Sequence, residues 1–139
     1  MVRFVFSKKE KEFLKRLGIE ALVLFGSQAQ GKAGLLSDFD IGVLLKDRAI
    51  LYVSEKRRRI YDALYEVLEK QIKRLVNIDI VFLGDAPYEL RAHVMKHGKV
   101  VFETKPGVFA DFKALVMEQY SDFAPLREIF QKGVLSQIS

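Results

Sequence analysis

The feature that most restricts the fold is a pair of short apolar segments separated by a stretch rich in glycine. The first covers Ile19–Phe25 and the second covers Phe39–Leu45, and each has the length of one buried strand. A third such segment, residues 78–83, follows a long stretch with helical periodicity. Strands that alternate with helices in this way predict an α+β (or α/β) domain, with a small mixed sheet and helices packed against it.

Helices are predicted on both sides of these strands. Residues 7–10 read Ser-Lys-Lys-Glu, which has the spacing of a capping box, and Gly18 ends the short helix that follows. Residues 51–75 predict a long amphipathic helix, whose apolar face is formed by Ile60, Leu64, Val67, Leu68, Ile72 and Leu75. The later part of the chain is predicted to contain a helix, a short strand and a last helix, over residues 88–96, over residues 99–102 and from Val108.

Length and composition predict one domain. The chain has 139 residues, half of them hydrophobic, which suffices for one core, with residues from about 107 to 139 expected to form a helical C-terminal extension. No apolar run approaches the roughly 20 residues that span a bilayer, and the N-terminus lacks a signal-peptide pattern, so no membrane association is expected. Cysteine is absent, which excludes disulfides and fits the cytoplasm as the expected location.

The charge distribution does not predict a nucleic-acid binder, although the net charge of +5 makes nucleic acid the first partner to consider. Basic residues are scattered along the chain, and the one dense run, residues 56–59, would point around the whole circumference of a helix. We therefore expect no direct nucleic-acid binding. The run itself is consistent with a solvated helix face, a phosphate-bearing ligand or an acidic protein surface.

Two carboxylates open the second predicted strand. Because side chains alternate along a strand, Asp38 and Asp40 point to the same face, and Asp79 of the third strand joins them if the two strands are neighbours. Three carboxylates in close proximity repel one another unless a cation lies between them. Their hard oxygen atoms favour Mg²⁺ or Mn²⁺, and Mg²⁺ normally completes its coordination with substrate phosphates and water.

The Gly-Ser pair at the end of the first strand provides a place for such a phosphate. Gly26 has no side chain to block the ligand, Ser27 offers a hydroxyl donor, and backbone N–H groups of the following turn can point at phosphate oxygens. Taken singly, Gly-Ser is typical of a turn, Asp-x-Asp of a cap, and Asp79 of a strand entry. Their conjunction on successive strands favours a site for a nucleoside triphosphate and metal ions.

These residues also carry a resemblance to a known family. The sequence LFGSQAQGKAGLLSDFDIGVLL, followed by NIDIVFL, resembles the nucleotidyltransferase superfamily with the DNA polymerase β-type fold. The mark of that superfamily is Gly-Ser, a ten-residue spacer, Asp-x-Asp and a later single Asp, and here it spans roughly residues 20–83. The short chain is most similar to the minimal nucleotidyltransferases, the MNT antitoxins encoded beside HEPN toxins. The C-terminal stretch FETKPGVFADFKALVMEQYSDFAPL is a weaker part of the same resemblance.

The resemblance implies a role for each residue of the motif. Asp38 and Asp40 would ligate Mg²⁺ or Mn²⁺, and Asp79 would complete the metal site and help to deprotonate the acceptor hydroxyl. Gly26 and Ser27 would bind the triphosphate of ATP. Active members transfer AMP from ATP to a tyrosine of a partner HEPN toxin and silence its RNase activity, so the resemblance also implies a hetero-oligomer with such a toxin.

One departure from the family pattern concerns the triphosphate. Relatives often carry arginine directly after the Gly-Ser pair and again two residues later, whereas this chain has Gln28 and Gln30, which contribute no charge. Lys32 is the residue expected to compensate in part and to contact the triphosphate. The alternatives are a catalytically idle antitoxin that acts by binding and occlusion, and a nucleotidyltransferase for a small molecule.

Two further features are open to more than one interpretation. His93 and His97 have a spacing that could ligate a metal, but without a third ligand we expect a structural or exposed role. Residues 123–138 carry many apolar side chains, expected either to pack on the domain's own core or to contact a partner toxin or a second copy of the chain.

Overall fold

The computed structural model describes residues 3–34 and 37–119. Its sheet has four strands in the order β3-β2-β1-β4. Strand β1 (Ile19–Phe25) pairs antiparallel with β2 (Phe39–Leu45) and with β4 (Lys99–Glu103), whereas β3 (Ile78–Phe82) pairs parallel with β2. The sheet is therefore small and mixed, which confirms the predicted architecture.

Most of the helices lie close to where the sequence predicts them. Helix α1 (Lys8–Arg16) begins at a capping box in which Ser7 and Glu10 satisfy each other's backbone N–H groups, as the Ser-Lys-Lys-Glu sequence predicts. A single helical turn, α2 (Gly26–Ala29), follows β1 directly. The longer helices α3 (Ser54–Ile72) and α4 (Tyr88–His97) come next, and residues 108–119 form α5.

The predicted helix over residues 51–75 was wrong at both ends. Its first part is a separate 3-10 helix, Arg48–Tyr52, which begins where the Asp47 side chain accepts a hydrogen bond from Ala49 N–H. Helix α3 ends at Ile72, and the next residue, Lys73, adopts the left-handed conformation with φ of 54°. Leu75 therefore lies beyond the last turn and is fully exposed, so it does not belong to the apolar face.

The sheet is covered on both faces. One face packs against α1 and α3 in the larger core cluster, to which Leu14, Leu64 and Leu68 contribute from the helices. The other face packs against α4 and α5, where Val94, Met95 and Phe112 are buried against the strands. Strand β2 supplies residues to both clusters, Phe39, Ile41, Val43 and Leu45 to the first and Leu44 to the second, because successive side chains of a strand point to opposite faces.

The C-terminal extension is described only in part. Residues 108–119 are helical, as predicted, while Tyr120 and the apolar residues 123–138 lie outside the described residues. In the part of the chain that the structure describes, none of the helices combines the length and the apolar character needed to span a bilayer.

Candidate functional site

One of the two carboxylates predicted at the start of β2, Asp40, lies beside the third carboxylate, Asp79, on the neighbouring strand. In the parallel pairing of β2 with β3, Asp40 and Asp79 are direct register partners. Neighbouring strands lie roughly 4.8 Å apart, and register partners in a parallel pair point to the same face. That face is the one covered by α4 and α5, since Leu44, four residues after Asp40, is buried in the cluster on that side. Asp38 directly precedes β2 at the same end of the sheet.

The electrostatics indicate that Asp40 is affected by its burial and by the two other acidic groups. Burial raises the pKa of Asp40 above its ordinary value of 3.8, and the negative charges of Asp79 and Asp38 raise it further, in that order of importance. Asp40 is partly buried, while Asp38 and Asp79 are exposed. Ionisation of Asp40 is therefore less favourable than that of a free aspartate, and a cation beside it would offset the repulsion.

The Gly-Ser turn lies directly against this carboxylate. Phe25, the last residue of β1, is the register partner of Asp40, so the chain leaves the sheet beside the aspartate. Gly26 has φ of +71°, a left-handed conformation that favours glycine. A Cβ atom at Gly26 would also collide with the Asp40 carboxylate, with Cγ only 3.2 Å away. Glycine is thus required here both by the backbone and by the approach of Asp40.

The polar residues after the turn differ in their exposure to solvent. Gln28 is buried, and its side-chain Nε2 donates a hydrogen bond to the carbonyl oxygen of Ser37 at 3.1 Å. Gln30 is exposed. Lys32 is also exposed, and its backbone N–H donates to the carbonyl oxygen of Ser27 at 3.0 Å, which folds the loop back on the turn.

The donor set fits a hard divalent cation that also uses ligands from its substrate. Among the described residues, no group of three or more His, Cys, Asp or Glu side chains is arranged to hold a metal ion alone. Mg²⁺ normally binds through one or two carboxylates plus phosphates and water, so it does not require such a group. Asp40, with its neighbours Asp38 and Asp79, supplies carboxylates of that kind beside the Gly26 turn.

In the basic run at residues 56–59, Arg57 has a structural role, whereas Arg58 and Arg59 lie on a solvated helix face. Arg57 pairs with Asp85, which follows β3, and its guanidinium lies 4.8 Å from the ring centroid of Phe82. Arg57 thus fastens α3 to the edge strand that carries Asp79. Arg58 and Arg59 instead form exposed pairs along the helix, with Asp62 and Glu55 respectively. The interpretation as a solvated helix face is therefore correct for these two arginines.

Two other features were placed by the structure. The ring centroids of His93 and His97 are 4.9 Å apart on an exposed face of α4. Among the described residues, the two histidines are not part of a group of three or more side chains that could hold a metal ion. The burial of Gln28 was not predicted, because a glutamine among small residues carries no sequence signal of burial. Its structural role becomes visible only through its hydrogen bond to Ser37, nine positions later.

Residues 8–107 match the polymerase β nucleotidyltransferase family. The chain belongs to that family. The match contains the Gly-Ser turn and all three aspartates, so the geometry described above is that of a nucleotidyltransferase domain. No curated protein shows significant sequence similarity to this nucleotidyltransferase.

Solved structures share the same fold. The nucleotidyltransferase is similar to a chain of a toxin–antitoxin complex with AMP-PNP, at a TM-score of 0.65 and 22% identity over 89% of this chain and 94% of that one. It is similar to a chain of a toxin–antitoxin MntA-HpeT mutant, at a TM-score of 0.64 and 20% identity over 94% and 99% of the two chains.

A third similar structure contains a tri-AMPylated HEPN toxin from Shewanella oneidensis in complex with an MNT antitoxin. Its TM-score is 0.58 at 19% identity, and the match covers 90% of this chain and 95% of that one. The predicted resemblance in fold, to chains from MNT–HEPN toxin–antitoxin complexes, is thus confirmed. At these identities the likeness establishes the common fold.

Proposed function

We propose that this chain is an antitoxin that transfers AMP from ATP to a tyrosine hydroxyl of a cognate HEPN RNase toxin, and so neutralises it. The observation that carries the proposal is the register of β2 and β3, which sets Asp79 beside Asp40 at the Gly26 turn. Metal-binding carboxylates and a place for a triphosphate are the two parts that nucleotidyl transfer requires.

The similar structures support the choice of substrate and partner. One of them is a toxin–antitoxin complex with AMP-PNP, an ATP analogue, and another holds a HEPN toxin that carries AMP groups. The proposal extends this chemistry to the present chain, with ATP as the substrate and the HEPN toxin as both acceptor and binding partner.

The proposed reaction is an in-line displacement at the α-phosphorus. The tyrosine oxygen forms a bond to the α-phosphorus, the bond to the oxygen that bridges the α- and β-phosphates breaks, and pyrophosphate leaves. The hydroxyl proton passes to the carboxylate of Asp79. Asp38 and Asp40 would hold Mg²⁺ or Mn²⁺, which when bound neutralises charge on the phosphate oxygens. Gly26, Ser27 and the exposed Lys32 would receive the triphosphate.

The direct test is mass analysis of the toxin. The HEPN protein encoded beside this chain is incubated with α-labelled ATP, Mg²⁺ and either the unaltered chain or a variant. We expect added AMP on a tyrosine with the unaltered chain, and rates lower by on the order of a hundredfold or more for Asp38→Asn, Asp40→Asn and Asp79→Asn. Asp111→Asn, an exposed change on α5, is the matched control and should retain full activity. An unmodified toxin that nevertheless forms a stable complex would refute the transfer.

A second candidate function is neutralisation by binding alone. It is favoured by one observation: the amide of Gln28, at a position where relatives often carry arginine, donates to Ser37 and adds no charge for a triphosphate. Asp38→Asn combined with Asp40→Asn separates the two functions in cells. Survival of toxin-expressing cells that depends on both aspartates, at equal antitoxin levels, supports transfer, while full protection by the double variant supports occlusion.

A further inference from the structure

Gln28 is unusual in being polar and buried. Among the described residues it is the one polar or charged residue in the buried class, with 8% of its surface exposed. A buried amide is costly unless it forms hydrogen bonds, and Nε2 of Gln28 meets this requirement by donating to the carbonyl oxygen of Ser37. A residue so enclosed, whose donor is directed at the protein's own backbone, is poorly placed to contact a ligand.

The bond joins the two halves of the site. Gln28 lies in α2, directly after the Gly26-Ser27 turn, and Ser37 directly precedes Asp38. Ser37 is held a second time from within the loop, since its Oγ accepts from Gly34 N–H at 3.0 Å and its own N–H donates to the carbonyl oxygen of Gly34 at 3.3 Å. The connection therefore runs from the turn, through one buried side chain, to the backbone next to the first carboxylate.

Asp38 needs such support because the sheet does not provide it. Strand β2 begins at Phe39, whose N–H donates to the carbonyl oxygen of Asn77, so the ladder starts one residue after Asp38. The position of the Asp38 carboxylate relative to the turn is then set by Ser37, and the position of Ser37 is set in part by Gln28.

We propose that Gln28 is a positioning residue that holds Asp38 in place for the metal ion bound together with the triphosphate. This inference rests on the proposed nucleotidyl transfer and deepens it. A neutral amide suits this position because it can be buried with one hydrogen bond, whereas a buried guanidinium would need a counter-charge.

The test measures Mg²⁺ binding at saturating AMP-PNP by titration calorimetry. Gln28→Met keeps the length of the side chain and is compatible with burial, but it removes the donor. We expect the Mg²⁺ concentration at half saturation to rise roughly three- to tenfold, the effect of one net hydrogen bond. Gln30→Met, an exposed change two residues later, is the matched control and should leave binding unchanged. Gln28→Asn, which retracts the amide by one methylene, is the second variant and should weaken binding as well.

A double-mutant cycle separates positioning from a merely structural role. In the background of Asp38→Asn, Gln28→Met should cause no further loss of Mg²⁺ affinity, since the carboxylate that it positions is gone. Additive losses, or Mg²⁺ affinity that is unchanged in both Gln28 variants, would overturn the proposal while leaving the proposed function intact. Failure of the unaltered chain to bind Mg²⁺ and AMP-PNP at all would instead overturn the proposed function, and this role with it.

Discussion

Replacement of Gly26 by alanine tests how closely the turn and the carboxylate depend on each other. Two penalties apply at this position: the left-handed φ of +71°, and the contact of the new Cβ with the side chain of Asp40. Gly31 provides a matched control in the same segment, because it has the same φ of +71° but no atom within 4 Å of the place that a Cβ would occupy. The difference between the two variants therefore isolates the contact with Asp40.

The expected magnitudes follow from these two penalties. A left-handed alanine costs about 1–2 kcal/mol of unfolding free energy, and this applies to Gly31→Ala and Gly26→Ala alike. In Gly26→Ala the Asp40 carboxylate must also leave its rotamer, which costs about 1 kcal/mol more. Urea denaturation of both variants measures these values. Because displacement by an ångström of the carboxylate proposed to bind the metal is enough, the proposed AMP transfer should fall on the order of a hundredfold in Gly26→Ala only.

A third variant identifies the source of the difference. In the background of Asp40→Ala, the extra loss of stability in Gly26→Ala should disappear, and the two glycine substitutions should become equal. Equal stability and equal activity of Gly26→Ala and Gly31→Ala in the unaltered background would refute the reasoning, since the turn would then not depend on its approach to Asp40.

Three further predictions follow from the same structure. Burial and two neighbouring charges raise the pKa of Asp40, so its ionised form destabilises the folded chain at neutral pH. Asp40→Asn should therefore raise the unfolding free energy at pH 7 by up to about 1 kcal/mol, a value limited by solvent screening. In urea titrations this gain should shrink as the pH falls through the raised pKa toward 3.8, and a gain independent of pH would contradict it. Mg²⁺ with ATP should stabilise the folded chain by about 2.7 kcal/mol at a hundredfold excess over Kd, and so raise the melting temperature. This shift in melting temperature should be absent when Asp38 and Asp40 are both Asn. Ser7→Ala removes half of the capping box of α1 and should cost about 1 kcal/mol in urea denaturation, whereas no loss would mean that the cap is not formed in solution.

Most of the local structure could be predicted because its causes are local. The capping box at Ser7, the strands Ile19–Phe25 and Phe39–Leu45, and the helix after Val108 all follow from residues a few positions apart. The prediction of the long helix was wrong at both ends, because the features that bound the helix are not periodic. A left-handed residue at Lys73 and a 3-10 turn before Ser54 leave little trace in the hydrophobic periodicity.

By itself the sequence determined which residues are able to form a site. The alternation of β2 places Asp40 and Leu44 on one face whatever the strand pairs with, since that property depends only on the extended backbone, whereas Asp38 precedes the first residue of the strand. Only the tertiary structure decided that Asp40 lies beside Asp79 and Gly26. The order β3-β2-β1-β4 and the register of Asp40 with Asp79 result from long-range burial on both faces of the sheet. The bond from Gln28 to Ser37 depends on the same packing, because a side chain's burial is a property of its neighbours in space and not of its neighbours in the chain.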